Sequence, residues 1–219
     1  MPGFSDDWET EWDRRTGYPV WPWTDLVSKV SRHTGIAADD TVLELGCGTG
    51  ANFPLLRETV GPEGTVVGVD LTAGMLDRAR ARIEREGWAN VHVVRGDATR
   101  PPVASVDAVF ASFLVGMLDA PDAAVATWLD RLRPDGHIAL LDLARSTRPA
   151  AGTLNPLFRA FVRASSPRGT RKYHGESPTN VLDRRVAAAH RAILESCDAT
   201  HHETRALGFV RLGAGRKRA

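Results

Sequence analysis

The sequence of 219 residues is poor in cysteine and nearly balanced in charge. Its two cysteines, Cys47 and Cys197, lie far apart, which excludes a disulfide framework and a C-x-x-C metal pair. Lysine and arginine total 28 against 27 aspartates and glutamates, so the net charge of +1 gives no general attraction to nucleic acid. We therefore expect no metal site and no nucleic-acid partner.

A long hydrophobic run is also missing from the sequence. No apolar stretch approaches the roughly 20 residues that a membrane-spanning helix needs. The first residues carry neither the basic nor the apolar region of a signal peptide. The length suits one domain with a sizeable core. Together these features predict a soluble protein that works in the cytoplasm.

Glycine is concentrated directly after the first predicted strand. Val42, Leu43 and Leu45 form a short apolar run, as expected for a strand that is buried on both faces. Three glycines follow at alternate positions: Gly46, Gly48 and Gly50. A helix is predicted next, with Pro54 near its start, where a missing N–H does no harm. A strand, a glycine loop and a helix in this order form a nucleotide-type binding turn.

Three kinds of ligand use such a turn. A phosphate-binding P-loop needs a lysine that this sequence lacks. A dinucleotide turn needs G-x-G-x-x-G or A, which Gly46, Gly48 and Ala51 provide. A third ligand is S-adenosylmethionine, and Glu44 favours it, because a carboxylate beside the loop repels a pyrophosphate but attracts an ammonium and a sulfonium. Glycines this dense after a buried strand disfavour an ordinary turn without a ligand.

Strands and helices alternate along the first two thirds of the chain. Further strands are predicted at residues 65–70, 91–94, 106–111 and 137–143. Helices are predicted after Thr72, from Pro121 and over residues 181–197. This alternation indicates an α/β fold with a parallel sheet. The two short β-like runs around Leu207-Gly208 predict a terminal hairpin.

Ligands of open α/β sheets bind beyond the carboxyl ends of the strands. There this chain has the glycine loop, Asp70, Asp97-Ala98, Ser112-Phe113 and Asp142. Asp70 follows the glycines at the distance where an acid binds ribose hydroxyls, in either a dinucleotide or S-adenosylmethionine. We expect all these residues to line one crevice.

The pattern Glu44-x-Gly46-x-Gly48-x-Gly50 resembles motif I of the class I S-adenosylmethionine-dependent methyltransferases. Together with the Val-Gly-Val-Asp strand end and the Gly-Asp-Ala turn, it is similar to the ubiquinone/menaquinone and phosphatidylethanolamine methyltransferase group. The resemblance implies a Rossmann-like, seven-stranded, mostly parallel sheet with a terminal antiparallel hairpin. It also implies that Asp97 accepts a hydrogen bond from the adenine amino group and that Met75 lies along the adenine edge. The residues implied to bind S-adenosyl-L-methionine are Glu44, Gly46, Cys47, Gly48, Thr49, Asp70, Leu71, Met75, Asp97, Ala98, Ser112 and Phe113.

The resemblance divides the chain into four parts. Residues 1–40 are expected to form an N-terminal lid and helix, with Tyr18 as a lid residue, and residues 41–144 the cofactor-binding core. Residues 145–178 break the alternation, and a loop this long is usually functional or disordered, so we interpret them as a substrate cover. Residues 179–219 are expected to supply the last helix and the hairpin.

The sequence predicts a methyltransferase that acts on a small-molecule or lipid-like substrate. Methyl transfer needs a general base only if the acceptor must lose a proton, and the candidates for that base are Tyr173, His174 and Asp142. Basic and apolar residues interspersed over 154–172 are consistent with peripheral membrane contact. Two alternatives remain open, a non-catalytic protein that binds S-adenosylmethionine and, more distantly, a nicotinamide-dependent oxidoreductase.

Overall fold

A computed structural model describes residues 35–165 and 176–218. Its strands are β1 (Thr41–Leu45), β2 (Thr65–Asp70), β3 (Val91–Arg95), β4 (Val106–Ser112), β5 (Leu132–Leu143), β6 (Cys197–Arg205) and β7 (Val210–Lys217). Its α-helices are α1 (Phe53–Val60), α2 (Ala73–Glu86), α3 (Pro121–Arg131), α4 (Asn155–Ser165) and α5 (Pro178–Ser196). None of these helices is both long enough and apolar enough to cross a membrane.

The strands form one sheet of seven in the order β3-β2-β1-β4-β5-β7-β6. The first five strands of this order are parallel, whereas β7 is antiparallel to both β5 and β6. The predicted α/β class, the mostly parallel sheet and the terminal hairpin are therefore confirmed. Since the order runs outward from β1 in both directions, the sheet has a topological switch point between β1 and β4.

Helices cover both faces of the sheet, and alternate residues of each strand enter two separate cores. On one face, Leu43 of β1 joins Trp128 of α3 and Ile193 of α5. On the other face, Val42 joins Phe53 of α1 and Leu76 of α2. A strand buried in this way on both sides is apolar almost throughout, as β1 is.

Glycine allows α1 to begin close to the sheet. A Cβ on Gly68, in the middle of β2, would lie 2.5 Å from the Phe53 ring and 2.8 Å from Cys47 Sγ. A Cβ on Gly50 would lie 2.4 Å from the same ring. Phe53 is fully buried, and the two glycines provide the space for it. The glycine loop is consequently held between β1 and the first turn of α1.

One strand differs from the prediction. The strand expected at residues 137–143 begins at Leu132 instead, because Leu132 already pairs with Val106 before a bulge leads to the pair of His137 with Ala108. Asp135 in this bulge has a φ of 62°, so the predicted turn is present inside the strand. Within the segment interpreted as a substrate cover, the sequence Asn155-Pro156 indicates a turn and a helix start, and α4 begins at Asn155.

Candidate active site

The glycine loop is fixed by backbone hydrogen bonds to β2. The N–H groups of Gly46 and Cys47 both donate to the Val69 carbonyl, at 2.8 and 3.1 Å. Gly46, Gly48 and Gly50 all have positive φ, between 53° and 72°, a region that glycine enters without steric cost. The loop therefore bends sharply at the carboxyl end of β1 and keeps its backbone near the tip of β2.

Only the middle glycine faces open space. A Cβ on Gly46 would lie 2.9 Å from the Leu114 side chain, and one on Gly50 would lie 2.4 Å from the Phe53 ring. A Cβ on Gly48 would meet no atom within 4 Å. The first and last glycines thus serve packing. Gly48 leaves the main chain accessible, which is how a glycine loop lets a ligand approach.

Asp70 connects the loop to the start of α2. Its Oδ2 accepts a hydrogen bond from the Gly48 N–H at 2.9 Å, and its Oδ1 accepts one from the Thr72 N–H at 2.9 Å. Thr72 occupies the predicted cap position, but its side chain makes no capping bond. A carboxylate has about four acceptor positions, so Asp70 retains the capacity to accept two hydroxyl groups of a ribose.

Glu44 lies under the loop and is fully buried. Its Oε1 accepts a hydrogen bond from Asn52 Nδ2 at 2.6 Å, and the same nitrogen donates to Ser112 Oγ at 2.9 Å. Its Oε2 is buried and has no hydrogen-bond partner among the described residues. Burial raises the pKa of Glu44 to about 8, the Asn52 hydrogen bond lowers it, and the nearby Asp70 charge raises it. At neutral pH Glu44 is therefore mainly a neutral acid.

Cys47 lies in the loop without the properties of a nucleophile. Its side chain is buried, and burial raises the pKa of its thiol, with Glu44 and Asp70 adding to the effect. A reactive cysteine needs a lowered pKa and a positive environment. Cys47 instead packs its sulfur over Gly68.

In the turn after β3, both residues predicted to bind the cofactor, Asp97 and Ala98, accept hydrogen bonds from within the chain. Asp97 Oδ1 accepts hydrogen bonds from the N–H and the Oγ1 of Thr99, each at 2.8 Å. The carbonyl of Ala98 accepts a hydrogen bond from Trp128 Nε1 at 2.7 Å, and Trp128 is fully buried in α3. Asp97 therefore caps its own turn, and the Trp128 contact fixes the turn to the core.

The remaining predicted cofactor residues lie near the surface of this edge. Leu71 is 47% exposed, and Met75 is half-buried although its neighbour Leu76 is in the core. Phe113 has a φ of 56°, which is costly for a residue with a Cβ. Its N–H donates to the Leu141 carbonyl at 2.7 Å, so the end of β4 is tied to β5 in this conformation. Thr49 is also partly exposed.

Asp142, one of the three predicted bases, lies on the opposite face of the sheet from Glu44. It is buried, its Oδ2 is 3.1 Å from Nε2 of His190 in α5, and the Val115 N–H also bonds to it. Burial raises the pKa of Asp142, and the His190 hydrogen bond opposes that effect. The arrangement joins β5, α5 and the segment after β4. Its role as a general base stays a prediction.

Several predicted residues fall outside the described chain. These are Tyr173 and His174, Tyr18, and most of the N-terminal segment expected to form a lid.

Three further residues support the site without having been predicted. Asn52 donates hydrogen bonds to Glu44 and to Ser112. Trp128 donates to the turn after β3, and His190 is the partner of Asp142. Their periodicity in the sequence indicates only a helix start and two core-facing helix positions. Their polar contacts depend on tertiary structure.

Comparison with known proteins agrees with this geometry. Residues 42–136 match the profile of a family described as a methyltransferase domain. The nocamycin O-methyltransferase of Saccharothrix syringae is 35% identical over 136 residues, 61% of this chain and 49% of that protein. A demethylmenaquinone methyltransferase of Lactococcus lactis is 31% identical over 126 residues, 56% of this chain and 49% of that protein. The chain thus spans about half the length of these curated relatives.

Among solved structures, an S-adenosylmethionine-dependent methyltransferase from Aquifex aeolicus superposes with a TM-score of 0.60 at 18% identity. The superposition covers 98% of this chain and 100% of that one. At this identity the likeness shows the fold alone. Over residues 42–136 the chain is similar to a methyltransferase domain, and its described residues have the fold of an S-adenosylmethionine-dependent methyltransferase.

Proposed function

We propose that this chain transfers a methyl group from S-adenosylmethionine to a small-molecule or lipid-like acceptor. The observation that carries the proposal is the open backbone face at Gly48, which lies beside Asp70 and above the buried Glu44. The relatives support an acceptor of small size, since their names specify nocamycin and demethylmenaquinone. We propose that the reaction takes place in the cytoplasm.

The residues of this edge fit the cofactor chemically. We assign the ribose hydroxyls to Asp70, whose remaining lone pairs can accept them. We assign the adenine to Met75 and to the turn Asp97-Ala98. The methionine portion lies against Gly48, above the buried Glu44. Its positive charges favour the ionised form of Glu44, which is mainly neutral in the cofactor-free chain. Lining positions at Gly46, Cys47, Thr49, Leu71, Ser112 and Phe113 complete this proposed set.

Catalysis in this proposal comes mainly from alignment. The sulfonium of the bound cofactor supplies an activated methyl group for an in-line displacement at carbon. The chain fixes the glycine loop, the β2 tip and the end of β4 before the reactants meet, and such preorganisation contributes up to roughly 7–11 kcal/mol. Cys47 forms no covalent intermediate in this proposal, because its buried thiol has a raised pKa.

We propose that residues 145–178 contact the acceptor and that Tyr173 and His174 reach the methyl-transfer site. The segment leaves β5 at the carboxyl edge of the sheet, where the crevice is. His174→Ala and Tyr173→Phe are expected to lower turnover while affinity for S-adenosylhomocysteine stays near wild type. Full turnover in both variants would show that these residues do not act on the acceptor.

Peripheral membrane contact through residues 154–172 is a further part of the proposal. In α4, Leu157 is 67% exposed and Phe161 is 48% exposed, and Arg159 and Arg163 lie on the same helix. Apolar and basic side chains together suit an interfacial helix. Sedimentation with anionic phosphatidylglycerol vesicles is expected to retain the protein, and Phe161→Ser is expected to weaken retention. Equal retention by neutral phosphatidylcholine vesicles would contradict the charge contribution.

Calorimetry with nucleoside cofactors tests the cofactor assignment. S-adenosylmethionine and S-adenosylhomocysteine are expected to bind, and NAD is expected not to bind. Asp70→Ala is expected to weaken binding by about 1.5–3 kcal/mol, the scale of a lost charge-assisted hydrogen bond. Asp77→Ala, on the exposed side of α2, is the matched control. Tight binding of NAD without a response to S-adenosylmethionine would refute the assignment.

Turnover separates an enzyme from a non-catalytic binding protein. Incubation of metabolite and lipid extracts with the protein and a labelled methyl donor is expected to label an extracted compound. Binding of the cofactor without labelling of any fraction would favour the non-catalytic alternative.

A further inference from the structure

A second concave site lies beyond the carboxyl end of β5 and the amino end of β7. It is a cavity of about 410 Å³, and its polar lining includes Arg145, Ser146, Asn155, Asp183 and Arg211. Because β5 is the neighbour of β4 in the sheet, the cavity opens at the same edge as the cofactor crevice. None of the residues implied to bind the cofactor lines it.

The guanidinium of Arg145 is hydrogen-bonded to the described residues on one side only. Asp183 in α5 accepts hydrogen bonds from both the backbone N–H of Arg145, at 2.9 Å, and the Nε of its side chain. The terminal Nη1 and Nη2 of Arg145 donate to no other described residue. A guanidinium gripped at Nε keeps its outer nitrogens in a fixed plane, which is the geometry that binds a carboxylate or a phosphate.

The second guanidinium reaches the cavity from β7. Arg211 Nη2 donates to the backbone carbonyl of Arg145 at 3.2 Å, so the two arginines are brought together. Nη1 and Nε of Arg211 donate to no described residue. Arg211 is paired in register with Asp142, but that carboxylate is engaged by His190. The cavity is therefore lined by two guanidiniums and one carboxylate. That carboxylate belongs to Asp183, which already accepts hydrogen bonds from Arg145.

Two neutral polar side chains of the wall are occupied by the chain itself. Asn155 accepts a hydrogen bond from the Ser146 N–H at 3.2 Å and donates one to the Ser146 carbonyl at 3.1 Å. The Ser146 hydroxyl donates to the Leu207 carbonyl at 2.6 Å. These bonds fix the segment after β5 and leave the arginine nitrogens and the exposed Thr147 hydroxyl as the donors for a ligand.

We propose that the cavity between Arg145 and Arg211 binds an anionic group, a carboxylate or a phosphate, of the methyl acceptor. Two forked cations on fixed supports favour a planar or tetrahedral oxyanion over a neutral polar group. The cavity lies beyond the carboxyl end of β5, the strand next to β4, so that one molecule places its anion here and its reacting atom toward the proposed cofactor crevice. This inference rests on the proposed function only in taking the anion to belong to the acceptor.

Calorimetry on the cofactor-free protein tests the anion site directly. The probes are benzoate, phenyl phosphate and benzamide, which has nearly the shape of benzoate without its charge. Benzoate or phenyl phosphate is expected to bind, and the stronger of the two identifies the carboxylate or the phosphate as the preferred group. Benzamide is expected to bind at least about tenfold more weakly, since it lacks the charge-assisted hydrogen bonds.

Variants locate the binding. Arg211→Gln and Arg145→Gln are each expected to weaken binding of the anion by about tenfold or more. Arg216→Gln, an exposed arginine on the same strand β7, is the control and is expected to leave binding unchanged. If a variant fails to fold, a salt titration of the wild type replaces the experiment on that variant. Added salt is expected to weaken binding of the anion and to leave binding of benzamide unchanged.

Three results would overturn the inference: no anion binds at millimolar concentration, benzamide binds as tightly as benzoate, or the arginine variants bind like wild type. A parallel titration with S-adenosylhomocysteine keeps the proposed function separate. Anion binding without cofactor binding would refute the methyltransferase function and keep the anion site. Cofactor binding without anion binding would refute the anion site and keep the methyltransferase function.

Discussion

The clearest consequence of the site geometry concerns Glu44→Gln. Glu44 is fully buried, accepts a hydrogen bond from Asn52 and has a second oxygen without a partner. Glutamine keeps the size of the side chain and the Asn52 contact but can never ionise. The substitution therefore isolates the free-energy cost of a buried carboxylate.

The direction of the effect follows from the pKa of Glu44, which burial raises from 4.5 in the unfolded chain to about 8. Below pH 4.5 the carboxyl is protonated in the folded and in the unfolded chain, so its contribution to the free energy of unfolding is greatest there. As the pH rises through about 8, ionisation is favoured more in the unfolded chain, and stability is lost. The free energy of unfolding falls by a few kcal/mol across this window, with about 5 kcal/mol as an upper limit.

Urea unfolding followed by tryptophan fluorescence measures this difference. Wild type is expected to lose stability between about pH 5 and about pH 8.5, whereas Glu44→Gln is expected to be less dependent on pH and the more stable protein at the alkaline end. Glu58→Gln, on the exposed side of α1, is the control and should follow wild type. Parallel curves for wild type and Glu44→Gln would refute the reasoning.

Three further predictions concern the supports of the site. Gly213→Ala places a Cβ 2.6 Å from Nδ1 of His190 and is expected to lower the free energy of unfolding by about 1–3 kcal/mol in urea titrations. Asp142→Ala breaks a buried hydrogen-bonded pair and is expected to cost about 3–5 kcal/mol, so a normal melting temperature would contradict that structural role. Asn155→Ala removes both bonds to Ser146 and is expected to cost about 1–3 kcal/mol and to expose the segment after β5 to proteolysis; an unchanged cleavage pattern would show that these bonds do not fix it.

The parallel part of the fold was predictable because its signals are local. An apolar strand, a glycine turn and a helix start at Pro54 lie within fourteen positions of each other, and each signal specifies its own element. The hairpin was predictable from the gap at Leu207-Gly208, but its strands extend further than expected, to Cys197 and Lys217. The extension of β7 comes from pairing with β5, which the hairpin sequence alone does not contain, and β6 in turn pairs along the extended β7.

The longer β5 and the packing of α4 both have a tertiary origin. Pro134-Asp135-Gly136 is a normal turn signal, but Leu132 still reaches β4 before the chain bulges. Within residues 145–178, α4 is stabilised by Phe158, whose ring lies 5.1 Å from that of Phe209. A short amphipathic segment forms a helix when another surface covers it, and the sequence around α4 does not show that surface.

The proposed cofactor site and the proposed anion site differ in how far apart their residues lie in sequence. The glycine loop and Asp70 are 22 positions apart where Gly48 donates its N–H to the Asp70 carboxylate, and residue type and spacing predict that these groups lie together. In the proposed anion site, Arg145 contacts Asp183 across 38 positions and Arg211 across 66. No local pattern brings these residues together. A cavity whose charged residues come from three separate segments is therefore recognised only once the order of the strands is known, and under the proposed function it is there, rather than in the glycine loop, that selectivity for the acceptor varies.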